Sequence, residues 1–292
     1  MIVVATGLAD GMLVFVVACG LTLILGVMGI VNFAHGGFFM LGAYLAYALM
    51  HGQTHSVPVF VLLALAGAVI TGAAGYLCER LVFRRMYDLP EVTSLLGTYA
   101  LLLILEGIAQ IIWGLDPHTQ PEPASLNHTF GLFGAQVPRY DVLIVIVGLL
   151  VVVGLETLLR RSDYGRQLTA VAEDRYMAGL LGINVVRVFA LTFALGIALA
   201  GLGGAIAAPT VGLTPDVALT YILDAFAVVI IGGFGSITGS LVAALALGLL
   251  QSWLATDVPS LANFSLYLLM AVILVVRPQG LLGKTPMLEA DA

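Results

Sequence analysis

Charged side chains are what this sequence has least of. They make up 10% of its 292 residues, against roughly 25% in an ordinary soluble domain, and the mean hydropathy is +1.09. Too few charges remain to coat a soluble globule, so the composition is that of an integral membrane protein. The formal net charge of -6 supplies no basic face for nucleic acid. Only two cysteines occur, Cys19 and Cys78, both inside apolar runs, and they read as small packed hydrophobes rather than a disulfide. Metal-ligand spacing is nearly absent too. His51 and His55 are four apart, but they have no acidic or cysteine neighbour in the sequence HGQTH, which reads as a solvated loop. A basic segment ahead of the first apolar run is also missing. Asp10 is the only charge before Glu79, so this run is expected to stay as a span and not to be cleaved as a signal.

Long apolar runs are what the sequence has instead. A membrane helix needs about 20 mostly apolar residues. Candidates are 7–29, 36–51, 57–79, 93–114, 140–159, 187–208, 219–235, 239–255 and 260–276. Lipid offers no partner for backbone N–H and C=O groups, so each run is predicted to be helical. The expected fold class is all-α: a polytopic membrane helix bundle of about eight to ten transmembrane helical elements, forming one domain over residues 1–292 with two glycine-broken segments.

Basic residues set the expected orientation. Arg80, Arg84 and Arg85 follow the third run; Arg160, Arg161, Arg166, Arg175 and Arg187 mark a loop over 160–187; Arg277 and Lys284 mark the tail 277–292. A topology with these three segments in the cytoplasm satisfies the positive-inside rule, with the N-terminus outside and the C-terminus inside. Arg139 alone falls elsewhere, at the end of the loop 115–139, rich in Pro, Asn and His.

Two glycine-rich stretches interrupt the apolar text. One is NFAHGG, with Asn32, His35, Gly36 and Gly37; the other is IGGFGSITG over 231–239, with Gly233 and Gly235. Broken segments of this kind can mark the substrate path of a transporter, where irregular backbone faces protein or water. Each can equally be a tight turn between adjacent helices. Within the runs, Glu106 has Gln110 one turn away on the same face, and Asp224 sits in LTYILDAFAVVII. An acidic group at mid-span costs roughly 2.5–3.5 kcal/mol on insertion scales, so it faces the bundle interior or water. Glu106 therefore lines a path or is a capped structural group; Asp224 fits a structural or interfacial role better. Gly196, Ala200 and Gly204 have the spacing that lets helices approach closely.

The segment 160–187, RRSDYGRQLTAVAEDRYMAGLLGINVVR, is the most informative polar stretch. Arg166–Leu181 is predicted to be a short surface helix ended by Gly182, suited either to docking on a protein or to floating at the interface. Pro278–Thr285, PQGLLGKT, ends like a phosphate loop, but its first position is Pro and no strand precedes it. With no nucleophile–base set or Cys/His cluster either, the chain reads as no enzyme, without cofactor or metal.

Several blocks together resemble a known family. GLTLILGVMGIVNFAHGGFFMLGAYL, AEDRYMAGLLGINVVRVFALTFALGIALAGLGGAIAAP, IGGFGSITGSLVAALALGLLQ and VRPQGLLG, in this order, are similar to the permeases of branched-chain amino-acid ABC importers, of the LivH type. The likeness spans nearly the whole chain; only 115–139 matches no pattern. It implies a bacterial or archaeal inner-membrane permease paired with a second, related permease. It also implies two cytoplasmic ATPase subunits and an extracytoplasmic solute-binding protein that delivers leucine, isoleucine or valine. Related permeases carry urea, short amides or other amino acids, while an ion-coupled transporter or passive channel leaves the 160–187 loop unexplained. The resemblance makes Glu173, Asp174, Arg175, Ala178, Gly179, Leu181 and Gly182 the element that couples to the ATPase. It puts Asn32, His35, Gly36, Gly37, Glu106, Gln110, Gly233 and Gly235 on or near the translocation path.

Overall fold

A computed structural model describes residues 2–87, 89–132, 135–262 and 264–283. Nine apolar helices make up the bundle among them: α1 Ile2–Met28, α2 Ala34–Met50, α3 Val57–Leu81, α4 Glu91–Trp113, α5 Arg139–Arg161, α8 Val185–Ala207, α9 Val217–Gly232, α10 Ile237–Asp257 and α12 Ser265–Val276. Each coincides with one of the nine apolar runs. Six are long and apolar enough to cross a membrane; α2, α9 and α12 are shorter. Two short helices, α6 Asp163–Glu173 and α7 Arg175–Leu180, fill the loop after α5, and α11 Pro259–Ala262 precedes α12. The chain is a multi-pass membrane protein with a helical-bundle fold.

α1 is the axis of the bundle. In its most apolar window 89% of residues are buried, against 17% in α5, so α1 is sheathed by protein while α5 offers most of its surface outward. Close packing comes from small residues, as expected where lipid removes any hydrophobic drive between helices. α1 meets α10 through Gly7 against Gly248 and Gly11 against Ala244, and it meets α8 through Gly20 against Gly196. Gly204 of α8 lies against the carbonyl of Phe39 in α2. The Gly196–Ala200–Gly204 spacing is thus used on two neighbours at once.

Helix starts follow local chemistry. Ser162, Asn184 and Ser236 each accept a backbone N–H bond from three residues on, capping α6, α8 and α10. All three caps lie at the bundle end that carries nearly all the described arginines, Arg80 through Arg277, except Arg139. Lys284 and the rest of the tail lie outside the described residues, as does Asn263.

One loop carries structure of its own, and one expectation needs correcting. The loop 115–139 contains an antiparallel hairpin, β1 Thr129–Leu132 with β2 Ala135–Pro138, so one small non-helical unit interrupts the helical chain. And Arg166–Leu181 is not one helix. Asp174 adopts extended backbone (φ -153°, ψ 100°), and its carboxylate accepts the N–H groups of Tyr176 and Met177. A side chain that caps the next turn competes with continuing the previous one, and the segment splits into α6 and α7.

Candidate functional site

The NFAHGG stretch opens α2 at the end of a rising, non-helical connection. α1 ends at Met28 and α2 begins at Ala34, yet the His35 imidazole Nε2 donates to the Val17 carbonyl at 2.9 Å. Val17 lies eleven residues before the end of α1, about 16 Å along a helix axis. Gly29–Phe33 therefore climbs as open chain to the middle of α1 before α2 starts. Thr98 of α4 supports it: its hydroxyl accepts from Phe33 N–H at 3.2 Å and shares its proton between the Val31 carbonyl at 3.2 Å and the Leu95 carbonyl of its own helix at 2.9 Å. Asn32, between Val31 and Phe33, is fully buried, and neither side-chain polar atom has a protein partner among the described residues; His35 Nδ1 is orphaned too. A buried unpaired amide costs about 1–3 kcal/mol, so Asn32 is a costly place for polarity.

Gly36 and Gly37 serve packing. A Cβ on Gly36 would stand 2.2 Å from the Ala218 carbonyl of α9, and one on Gly37 would stand 2.8 Å from Leu105 of α4. They let α9 and α4 close over the start of α2.

The second break behaves differently. Gly233 (φ 97°) and Gly235 (φ 74°) turn the chain from α9 into α10. The tail clips onto this turn: Leu281 N–H donates to the Ile231 carbonyl at 2.7 Å and Leu282 N–H to the Gly232 carbonyl at 3.1 Å. The two blocks IGGFGSITG and RPQGLLG, far apart in sequence, are one structural unit. Phe234 is left exposed, across a cleft of about 600 Å³ from Ala172 and Glu173 of α6.

Glu106 is half-buried and Gln110 exposed on α4. They belong to a stripe with Tyr99 and Leu103, spaced four, seven and eleven residues along the helix, one face at 100° per residue. The neighbouring arc of α4, with Ile104, Ile108 and Ile111, is wholly apolar. The exposed surface of α4 thus splits into a lipid-compatible arc and a polar-edged one. α9 answers with a stripe of the same period: Leu219, Leu223, Phe226 and Ile230. Phe33 of the rising chain sits between the two, its ring 6.0 Å from Tyr99 and 4.9 Å from Phe226, centroid to centroid.

Asp224 falls on another side, in a cleft of about 490 Å³ with Asp10, Tyr221 and Gln251. Thr98, Tyr99, Phe33 and Phe226 had no part in the sequence-based site. The even spacing of Tyr99, Leu103, Glu106 and Gln110 could have revealed the α4 members; the others come together only through the fold.

At the arginine-rich end, α7 leaves Tyr176, Met177, Leu180 and Leu181 exposed, Tyr176 by 74%. Ala178 is buried beneath them, and a Cβ on Gly179 would meet nothing within 4 Å. Glu173, Asp174, Arg175 and Gly182 are exposed around this patch, with Gly182 ending the segment at φ 85°. Tyr164 of α6 bonds Thr192 of α8 at 2.8 Å, and burial pushes the Tyr164 hydroxyl pKa up, so it stays a neutral hydrogen-bonding link. On the same flank of α8, Tyr87 packs edge-on to Phe189 and donates to buried Glu79, which Arg84 approaches at 3.7 Å. Burial first, then the Glu79 carboxylate, holds the Tyr87 pKa above its usual range. Both α6 and the segment after α3 are therefore pinned to the arginine-rich end of α8.

Comparisons with known proteins agree over nearly the whole length. A family described as branched-chain amino acid transport system / permease component matches residues 3–277. The high-affinity branched-chain amino acid transport system permease protein BraD of Pseudomonas aeruginosa is 31% identical, over 95% of this chain and 94% of that one. The corresponding LivH of Escherichia coli is 30% identical over the same shares. LivM of E. coli is 29% identical over 94% of this chain and 68% of its own length. A solved structure, PsaBC from Streptococcus pneumoniae in complex with Fab, shares the fold at a TM-score of 0.51 with 13% identity, covering 93% of this chain and 89% of that one.

Proposed function

Since the chain belongs to the family of branched-chain amino acid transport system permease components, we propose that it is the membrane subunit of an ATP-driven importer, moving leucine, isoleucine and valine inward by alternating access. Hydrolysis resides in two cytoplasmic ATPase subunits, and an extracytoplasmic binding protein delivers the cargo. The arginine-rich end faces the cytoplasm of a bacterial or archaeal inner membrane, C-terminus included, as the positive-inside rule requires.

The observation that carries this reading is the α7 patch. Four large apolar side chains stand exposed on a six-residue helix and its C-cap, outside the spans, and an apolar patch there marks a protein interface. An ATPase cleft covers it, and α6 passes the push to α8 through Tyr164 and Thr192. The polar-edged face of α4 and α9 is covered by the second permease, with the path between them, because Glu106 and Gln110 cannot face lipid without cost. Asn32 and His35 lie behind that face, where irregular backbone meets the cargo.

The test is reconstitution of the chain with its genomic-neighbour ATPase, permease and binding protein in proteoliposomes. ATP-dependent leucine uptake is expected; flux with the chain alone, or none with the full set, overturns the proposal. Gly179→Trp should leave membrane insertion intact yet uncouple ATP hydrolysis from uptake, because it fills the open surface of α7 on which the ATPase docks; normal uptake overturns the docking.

A further inference from the structure

Three aromatic rings from three elements converge where the rising chain passes between the α4 and α9 stripes: Phe33, Tyr99 and Phe226. Of these only Tyr99 is substantially exposed, at 41%, and the other two are partly covered. Phe33 is no loose loop residue. Thr98 takes its backbone N–H, Asn32 before it is locked inward, and its ring lies against Tyr99 of α4 and Phe226 of α9. On the same α4 face, two turns farther along, stands Glu106, about 10 Å away by helical rise, and then Gln110.

We propose that Phe33, Tyr99 and Phe226 form the apolar side-chain subsite of the translocation path, an aromatic constriction that takes the aliphatic group of an α-amino acid. This rests on the importer reading given above and goes beyond it by fixing where the path discriminates. The chemistry is selective in a simple way. A face in the membrane that carries polar groups is wet when it lines a path, so an apolar cluster on that face is the one place where an aliphatic side chain leaves water. Leucine, isoleucine and valine gain from this burial; alanine gains little, and urea nothing. Each buried methylene is worth about 0.8 kcal/mol, so leucine is favoured over alanine at this point by more than tenfold. Rings are suited to the task because they offer large area with few torsions to order. Phe33 stands ahead of α2 on the open segment, so it can part from Tyr99 of α4 and Phe226 of α9 without breaking helical hydrogen bonds.

Two measurements on the assembled importer test this. First, Tyr99→Cys in a Cys19→Ala, Cys78→Ala background is labelled with a methanethiosulfonate reagent in proteoliposomes. Leucine should slow labelling several-fold, alanine weakly and urea not at all. Equal labelling with leucine, alanine or no solute overturns the subsite. Second, Phe226→Leu and Phe33→Leu keep an apolar side chain and hence the fold. They should pass leucine down its gradient without ATP, at least several-fold above wild type, whereas Ile111→Leu on the lipid-compatible arc should not. Leucine variants that stay as tight and as selective as wild type overturn the constriction. If wild type itself shows no ATP-driven uptake while labelling still responds to leucine, the importer reading fails and the subsite stands. Active wild type with unresponsive labelling is the reverse.

Discussion

The two glycine-broken stretches look alike as text and differ in kind as structure. In NFAHGG the glycines are helical and serve contact, letting α9 and α4 approach within a distance no Cβ permits. The break itself lies earlier, in Gly29–Phe33, and is held by Thr98 from another helix. In IGGFGSITG the glycines are the break, with left-handed backbone at Gly233 and Gly235, and the support comes from the chain's own tail. The first stretch carries buried, unpaired polarity at mid-length of α1. The second satisfies its backbone locally at the end of the bundle. Physical role follows the partner that supplies hydrogen bonds, not the glycine count.

The largest effect should come from Gly36→Leu. The atom it strikes is a backbone carbonyl at 2.2 Å, which cannot swing aside as a side chain would, so α9 must move away. Overpacking that displaces whole helices costs more than the usual 1–3 kcal/mol, and little monodisperse protein is expected on size-exclusion chromatography. Normal yield would mean that α2 and α9 are not in contact there.

Next comes the second break, where position should separate the two glycines. Gly233→Ala faces both left-handed strain and a clash with the backbone N of Gly283 at 2.3 Å. Gly235→Ala faces strain alone, its nearest neighbour standing at 3.5 Å. Hydrogen exchange at Leu281 and Leu282 should quicken markedly in the first and barely in the second, since left-handed strain by itself is about 1–3 kcal/mol. Equal behaviour of the two would dissolve the clip between turn and tail.

Much of this architecture was legible beforehand. All nine apolar runs became helices because a twenty-residue apolar stretch has few alternatives in lipid, and the Gly196–Ala200–Gly204 spacing reported its packing role directly. The helical character of 166–181 was legible in place but not in form, because Asp174 reads as one more charge until its carboxylate is seen capping α7. The aromatic trio was not legible as a unit: Phe33 lies in the first break, Tyr99 and Phe226 in two separate apolar runs, and only tertiary packing joins them. The tail's role was hidden for the same reason, since a backbone hydrogen bond to Ile231 leaves no trace in side-chain chemistry.

Thr98→Val is a smaller perturbation that probes the first break's support. It keeps shape and removes a hydroxyl that accepts from Phe33 and shares its proton between Val31 and Leu95, leaving the partly buried Phe33 N–H unpaired at about 1–3 kcal/mol. Thermal stability in detergent should drop by a few degrees, and Thr98→Ser should restore it. A fall in stability with Thr98→Ser as large as with Thr98→Val would remove the hydrogen bonds from the account.

The smallest expected change in stability, and the sharpest contrast, belongs to Asn32→Leu. Asn32 is the only residue of the first break whose side-chain amide is sealed away with every polar atom unpaired among the described residues. Removing such a group relieves a desolvation cost, so the variant should match wild type in stability or exceed it by about 1 kcal/mol. A residue that costs stability in the resting fold and persists there is paid back in another state, one in which α1, α4 and α9 part and the amide meets water or cargo. Uptake by the assembled importer should therefore fall while the melting temperature holds or rises. If instead stability falls and uptake survives, Asn32 is a structural group, and the two breaks differ in geometry alone.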